Sequence, residues 1–165
     1  MHNIITIHGP VGTGKSTLTE VLREKLPTHS YVDRPYIKRG LKPAGKKEAL
    51  RLSKEASYFL IRELVNMNQN IIVQEVNPES LRNKLGAEFF EQHNYKLISF
   101  FISCSVDTAI RRDIERSAKT VGEEGVRKIH SEYVSPSPYE IIIDTDKMSV
   151  AECINEMLSH IPNNN

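Results

Sequence analysis

The feature that most constrains this chain is the segment of residues 9–17, which reads GPVGTGKST and follows the apolar run Ile4-Ile5-Thr6-Ile7. This is the full G-x-x-x-x-G-K-[ST] pattern in its strand-then-helix context. Glycine lacks a Cβ and tolerates positive φ, so the backbone N–H groups of such a loop can point inward at phosphate oxygens. The segment therefore predicts a nucleoside triphosphate ligand on a strand, loop and helix unit.

The residues of this segment have separate expected roles. Lys15 has the reach and charge to bridge the β- and γ-phosphates, and the Ser16 hydroxyl is placed to ligate the accompanying Mg²⁺. The following helix adds the positive end of its dipole. The predicted nucleotide-binding set is Gly9, Pro10, Val11, Gly12, Thr13, Gly14, Lys15, Ser16 and Thr17.

Strand-like and helix-like patterns alternate along the 165 residues, which fit a single domain over residues 1–165. Alternation of this kind is typical of crossover units on a parallel sheet with ligands over the carboxyl ends of its strands. We predict an α/β fold of the P-loop NTPase type, a three-layer sandwich of five parallel strands with helices on both faces. The expected strands lie at residues 4–7, 31–32, 71–73, 96–102 and 139–143.

Composition gives no overall signal for a charged partner, so any anionic partner must be held by a local patch. Lys and Arg number 22 against 21 Asp and Glu, so the formal net charge of +1 gives no global attraction to nucleic acid or membranes. Cys104 and Cys153 show neither redox nor zinc spacing, and no secretory pattern precedes the first strand. The expected location is the cytoplasm, and no membrane partner is expected.

Two carboxylates are predicted at strand ends, where ligands of such sheets lie. Glu75 closes the third expected strand and can hold a water on Mg²⁺ or accept a substrate hydrogen bond, unless it is only solvated. Asp33 closes the second, where it can orient or deprotonate an acceptor hydroxyl. The alternative for Asp33 is a turn-forming role before Pro35.

Arg112 and Arg116 are four residues apart and therefore share one helical face. With Gly122 and Gly125 as hinges, they predict a lid over residues 105–133 that closes on the phosphates. The alternative is a solvated basic face paired with neighbouring acids. Residues 38–47 carry five cations, a run that can grip an anionic acceptor or be solvated, and His8 is predicted to be a packed strand-end residue.

With these residues in place, the chain resembles small P-loop kinases that phosphorylate hydroxyl groups, and most closely the polynucleotide 5′-hydroxyl kinase domain. The resemblance rests on residues 9–17, on the strand end 71–77 and on the R-x-x-x-R of residues 112–116. It implies Asp33 as the acceptor-side base and Arg82 as a contact to an acceptor phosphate. Residues 139–149 resemble the closing strand of adenylylsulfate kinases, which implies Asp144 and Thr145 beside the adenine, although the R-D-P-K segment of those kinases is absent.

The leading expectation is an ATP- and Mg²⁺-dependent kinase. Its catalytic residues would be Lys15, Asp33, Arg112 and Arg116, and its metal ligands Ser16 and Glu75. The acceptor stays open among nucleosides, nucleotides, nucleic-acid 5′ ends and other small metabolites. The alternatives are a nucleotide-hydrolysing switch, which would be unusual without an N-K-x-D sequence, and a toxin-like sugar-nucleotide kinase.

Overall fold

Five strands form one sheet in a computed structural model that describes residues 1–116 and 120–162. Each neighbouring pair is parallel, and the spatial order is β2, β3, β1, β4, β5. The strands are β1 His2–His8, β2 Ser30–Asp33, β3 Ile71–Gln74, β4 Tyr95–Ser103 and β5 Ile141–Asp144. The predicted five-stranded parallel sheet is confirmed.

Helices connect the strands as crossovers, which parallel strands require. A short 3₁₀ turn at Lys42–Ala44 separates the second helix from the third. The helices are α1 Lys15–Lys25, α2 Arg34–Gly40, α3 Lys46–Asn66, α4 Pro78–Leu85, α5 Ala87–Gln92, α6 Val106–Glu115, α7 Glu123–Glu132 and α8 Val150–Ser159.

Side chains alternate between two hydrophobic clusters, one on each face of the sheet. From the central strand β1, Ile5 and Ile7 enter the cluster under α1 and α8, whereas Ile4 enters the cluster under α3 and α4. All three isoleucines are fully buried, because both faces of the sheet are covered. The three layers predicted from the sequence are therefore present.

Local capping signals mark several helix starts correctly. Asn77 accepts a hydrogen bond from the Ser80 N–H at 2.9 Å, with Pro78 in the first turn. Ser149 and Glu152 form a complete capping box at α8. Within the described ranges, no helix is long and apolar enough to cross a membrane.

The structure differs from the sequence expectations in two places, and a third expectation is not tested. The Asn77-Pro78 start and the apolar residues Leu81, Leu85 and Phe89 predict one helix after β3. The structure divides it into α4 and α5, because Gly86 adopts φ +92° between them. The helix α2 was not predicted, since its seven residues are too few to show a helical repeat. The expected lid, residues 105–133, includes residues 117–119, which lie outside the described part of the chain.

Candidate active site

The phosphate-binding loop, residues 9–17, joins β1 to α1 and packs tightly against neighbouring backbone. Gly12 has φ +79°, and a Cβ there would lie 2.9 Å from the Ala109 Cα of α6. A Cβ on Gly9 would overlap the carbonyl of Ile102 at the end of β4. Glycine is therefore required at both positions by contact as well as by backbone conformation.

Lys15 is a buried cation at the floor of the loop, with 7% of its surface exposed. Its ammonium donates to the Pro10 carbonyl at 2.6 Å and lies 3.9 Å from Glu75 Oε1. Burial lowers the pKa of Lys15, and the Glu75 carboxylate opposes that shift. A buried cation with one close carbonyl partner is suited to binding an anion.

Glu75 follows β3 directly, one residue beyond the last residue of the strand. Its φ of +59° lies in the left-handed region, which is uncommon for a non-glycine residue and costs conformational energy. Its N–H donates to the Ile7 carbonyl at 2.9 Å, which ties the turn to β1. Strain of this kind occurs preferentially at ligand sites, and here it lies beside Lys15.

Ser16 is oriented by a chain of side-chain hydrogen bonds. Tyr31 donates to Gln74 Oε1 at 2.6 Å, and Gln74 Nε2 donates to Ser16 Oγ at 3.1 Å. Ser16 and Glu75 supply hydroxyl and carboxylate oxygens, the ligand types that Mg²⁺ prefers. The described residues contain no cluster of three or more His, Cys, Asp or Glu side chains suited to a metal, so other Mg²⁺ ligands would come from the nucleotide and water.

A cavity of about 620 Å³ opens above the loop, and we call it the phosphate cavity. It brings together residues of the loop, the end of β3, α2 and the lid region. Its lining is Gly9, Val11, Gly12, Gly14, Lys15, Ser16, Thr17, Arg34, Lys38, Glu75, Arg116, Ile129 and Tyr133.

Arg34 is a cavity residue that the sequence reasoning missed. It is the first residue of α2, and its Nη1 donates to the Glu75 carbonyl at 2.7 Å. Its buried Nε has no hydrogen-bond partner in the described part of the chain. The available signal was a basic residue immediately after a strand end, although the sequence drew attention to Asp33 instead.

Asp33 caps α2 and does not line the phosphate cavity. Its Oδ1 accepts from the Tyr36 N–H at 2.8 Å, the local role that the sequence left as the alternative. Its role as a base stays a prediction. Of the basic run 38–47, Lys38 reaches the cavity lining.

The two lid arginines take different positions. Arg116 lines the phosphate cavity and also a second cavity of about 380 Å³, which we call the base cavity. Arg112 lines only the base cavity and donates to Thr145 Oγ1 at 2.8 Å and to the Thr145 carbonyl at 3.1 Å. Asp113 is one of the neighbouring acids that could have paired with these arginines. Its carboxylate accepts hydrogen bonds from two backbone N–H groups, those of Val121 and Gly122, at 2.8 and 2.9 Å.

The base cavity has the apolar walls that suit a flat ring. Thr145 lines it, whereas Asp144 pairs with Lys147 at 2.9 Å and is not part of the lining. A place for either residue beside an adenine stays a prediction. Arg82 lies in a separate cavity with Tyr139 and Glu140, away from the phosphate-binding loop. The apolar wall is formed by Leu18, Met148, Val150 and Cys153.

The helix α7 and the residue after it contact the loop directly. His130 Nε2 donates to the Val11 carbonyl at 2.8 Å, and the Gly9 N–H donates to the Tyr133 hydroxyl at 3.0 Å. His8 is buried as predicted, but it also bonds Glu140 through Nε2 and lies 3.4 Å from the Tyr133 hydroxyl through Nδ1. No local pattern in the sequence indicated Tyr133 or Glu140.

Comparisons with known proteins agree with this geometry. The probable adenylyl-sulfate kinase of Archaeoglobus fulgidus is 28% identical over 161 residues, covering 89% of this chain and 98% of that protein. The adenylyl-sulfate kinase of Oceanobacillus iheyensis is 24% identical and covers 96% of this chain and 83% of its own length. The resemblance to such kinases thus extends far beyond residues 139–149.

Solved structures share the fold at low sequence identity. A putative kinase from Chloroflexus aurantiacus has a TM-score of 0.75 at 15% identity, covering 98% of this chain and 99% of that one. The APS kinase of Mycobacterium tuberculosis has a TM-score of 0.68 at 17% identity, with 96% of each chain covered. A family profile described as an AAA domain matches residues 4–136. The chain therefore belongs to this AAA domain family and is a small P-loop kinase.

Proposed function

We propose that this kinase transfers the γ-phosphoryl group of ATP to a hydroxyl group on a small anionic acceptor. The observation that carries the proposal is the pair of cations, Arg34 and Lys38, in the phosphate cavity in addition to Lys15 and Arg116. Lys15 and Arg116 suit the triphosphate, so Arg34 and Lys38 are left for the acceptor. Adenylyl sulfate is the first acceptor to test, because relatives that match most of the chain carry its name.

On the donor side, the loop N–H groups and Lys15 would bind the phosphates, and the base cavity would hold the nucleobase. Ser16 and Glu75 would hold Mg²⁺, which neutralises phosphate charge when it is bound. Arg116 lines both cavities and is placed to stabilise charge on the group in transfer.

On the acceptor side, the guanidinium of Arg34 favours a charged ligand. Its bond to the Glu75 carbonyl orients the group, while its buried Nε still needs an acceptor. A buried donor without a partner costs about 1–3 kcal/mol, and an anionic oxygen removes that cost. A neutral oxygen can also accept from this donor, but the charge-assisted bond to an anionic oxygen is stronger, so the site favours an anionic acceptor.

A transfer assay tests the proposal directly. Labelled ATP and Mg²⁺ are incubated with the protein and, in separate reactions, with adenylyl sulfate, gluconate, a 5′-hydroxyl oligonucleotide and uncharged adenosine. We expect label on an anionic acceptor and none on adenosine. Transfer to adenosine alone would contradict the anionic class, and label found only as free phosphate would favour the hydrolysing switch.

Arg34→Gln tests the assignment of the acceptor side. The variant loses the guanidinium charge and its free donor, so KM for the acceptor should rise about tenfold or more while KM for ATP stays within about twofold. The matched control is Arg39→Gln, an exposed arginine of the same helix that does not line the phosphate cavity. Equal effects of the two substitutions would contradict the assignment.

A further inference from the structure

His8, the last residue of β1, is the buried centre of a polar network beside the phosphate cavity. Its side chain is 2% exposed and that of Glu140 is 4% exposed. Glu140 also accepts from the Ser137 N–H at 2.7 Å and from Ser99 Oγ at 3.3 Å, which fixes its carboxylate. Packing alone would not require a histidine bonded to a carboxylate here, so we expect a functional role for this network.

The donors and acceptors in this network can be ordered. Burial lowers the pKa of His8. Burial acts to raise the pKa of Glu140, but the hydrogen bonds from Ser137 and the contact with His8 outweigh it and lower that pKa, so a neutral imidazole faces a carboxylate. A neutral imidazole bonded to a carboxylate through Nε2 carries its proton on that nitrogen. Its Nδ1 is then an acceptor, and the group beside it is the Tyr133 hydroxyl, 3.4 Å away.

Tyr133 connects this network to the cavity. Its oxygen accepts from the Gly9 N–H, its proton is directed to His8 Nδ1, and one lone pair is left for a further donor. Tyr133 lines the phosphate cavity together with Arg34 and Lys38. Burial raises the pKa of Tyr133, so its hydroxyl keeps its proton for transfer.

We propose that Tyr133, His8 and Glu140 form a proton relay that deprotonates the hydroxyl of the acceptor. The inference rests on the proposed function. It gives the base role to a histidine next to the phosphate-binding loop, whereas the carboxylate of Asp33 is occupied in capping α2. Contacts of general bases are often long in a free enzyme and shorten in the reacting complex.

The transfer step conserves atoms and protons. The acceptor O–H bond breaks and its proton passes to the Tyr133 oxygen, as Tyr133 gives its own proton to His8 Nδ1. The acceptor oxygen bonds the γ-phosphorus, and the bond from that phosphorus to the bridging oxygen breaks, so that ADP leaves. The relay ends with a neutral Tyr133 and a His8 imidazolium beside the Glu140 carboxylate. The imidazolium returns its extra proton to solvent after the product leaves.

Other groups around His8 agree with this assignment. The charge of Lys15 disfavours a proton on His8 before reaction, and the Glu140 carboxylate favours it. The Phe101 ring packs edge-on against the imidazole with ring centroids 5.4 Å apart, which helps to exclude water. The His8 imidazole is therefore neutral before the reaction, and the Glu140 carboxylate stabilises it once it gains a proton.

His8→Asn is the decisive substitution, because the asparagine oxygen can replace Nδ1 as an acceptor but cannot take a proton. With ATP and the acceptor that the panel identifies, we expect kcat to fall about 10²-fold or more while KM for ATP stays within about twofold. Because burial lowers the pKa of His8, kcat of the wild type should decline only at pH values below the ordinary histidine value of about 6.5, and this decline should be absent in the variant. A kcat within about threefold of wild type, or a decline that persists, would overturn the relay.

Tyr133→Phe should lower kcat to a similar extent and also remove the decline at low pH. Its matched control is Tyr95→Phe, since Tyr95 is a buried tyrosine whose hydroxyl donates to the Gln69 carbonyl at 2.8 Å, away from the phosphate cavity. Tyr95→Phe should leave kcat and its pH profile unchanged. A low kcat in Tyr133→Phe with an unaltered pH profile would assign Tyr133 only the positioning of Gly9 and would overturn the relay.

Two measurements keep the relay separate from the proposed function. If no compound of the panel is phosphorylated, water serves as the acceptor, and His8→Asn must then slow ATP hydrolysis about 10²-fold as well. An unchanged rate of hydrolysis would overturn the relay. Independently, ¹⁵N NMR of the imidazole near pH 7.5 should find the His8 proton on Nε2, and a proton on Nδ1 would exclude the relay.

Discussion

Single residues at the ends of β1, β2 and β3 set the chemistry of the phosphate cavity. Glu75 adopts the unfavourable φ of +59°, and Lys15 beside it is a buried cation whose charge an anionic ligand can compensate. Arg34 adds a buried donor without a partner in the described ranges. These unfavourable states meet at one place, which is what a ligand site requires and an ordinary turn does not.

Asp33 can be tested by comparing two substitutions. Asp33→Asn keeps an oxygen that can cap α2 but removes the charge, so we expect kcat within about tenfold of wild type and little change in stability. Asp33→Ala removes the cap and should lower the free energy of unfolding by about 1 kcal/mol. Steady-state kinetics and urea denaturation measure both effects.

Asp33→Asn also distinguishes between Asp33 and His8 as the base that deprotonates the acceptor. A loss of kcat of about 10²-fold or more, with ATP affinity unchanged in titration calorimetry, would return the base role to Asp33. That result would agree with the role that the family resemblance implies.

At the scale of elements, one carboxylate of α6 holds the backbone at the start of α7. Asp113 of α6 accepts from the N–H groups of Val121 and Gly122, and α7 begins immediately afterwards. His130 and Tyr133 then bring the end of this region onto the phosphate-binding loop. The end of α7 is therefore tied to the phosphate-binding loop, while Arg116, the residue after α6, lines the phosphate cavity. That these residues form a closing lid stays a prediction.

Arg116→Ala tests the lid arginine. Arg116 lines both cavities, so its removal should lower kcat by roughly 10³-fold, the scale of an arginine that stabilises a transferring phosphoryl group. Arg111→Ala is the control, because Arg111 is an exposed arginine of α6, the helix that ends just before Arg116, and lines neither cavity. Near-normal turnover of a folded Arg116→Ala would exclude the assignment.

Elements also show where local patterns were sufficient and where they were not. The strands were predictable because β-branched runs in a sheet covered on both faces produce a continuous apolar signal. The helix α2 was hidden, since it is short and none of its residues is fully buried to produce a periodic apolar face. Its capping signal, Asp33 with Pro35, is visible in the sequence, but the sequence favours a base role for Asp33 and leaves a turn before Pro35 as the alternative.

For the whole molecule, the buried histidines make stability depend on pH. Burial lowers the pKa of both His8 and His29. The unfolded chain therefore takes up protons near pH 6.5, where these histidines in the folded chain stay neutral. The free energy of unfolding should consequently be highest above about pH 6.5 and decrease toward about pH 5.5.

Urea denaturation at about pH 7.5, 6.5 and 5.5 measures this dependence. One such proton contributes at most about 1.4 kcal/mol per pH unit. His8→Asn should reduce the change in the free energy of unfolding per pH unit, and adding His29→Asn should reduce it further. A wild-type stability that is constant or increases over this interval would contradict the expected sign.

The sequence by itself determined the parallel sheet and the nucleotide-binding loop, because both depend on contiguous signals. Runs of isoleucine and valine specify buried strands, and residues 9–17 carry a complete motif. The tertiary structure alone decided that Arg34 shares a cavity with Lys15, and that Tyr133 and Glu140 meet His8. Those contacts join residues far apart in the chain, so they exist only once parallel strands bring their carboxyl ends to one edge of the sheet.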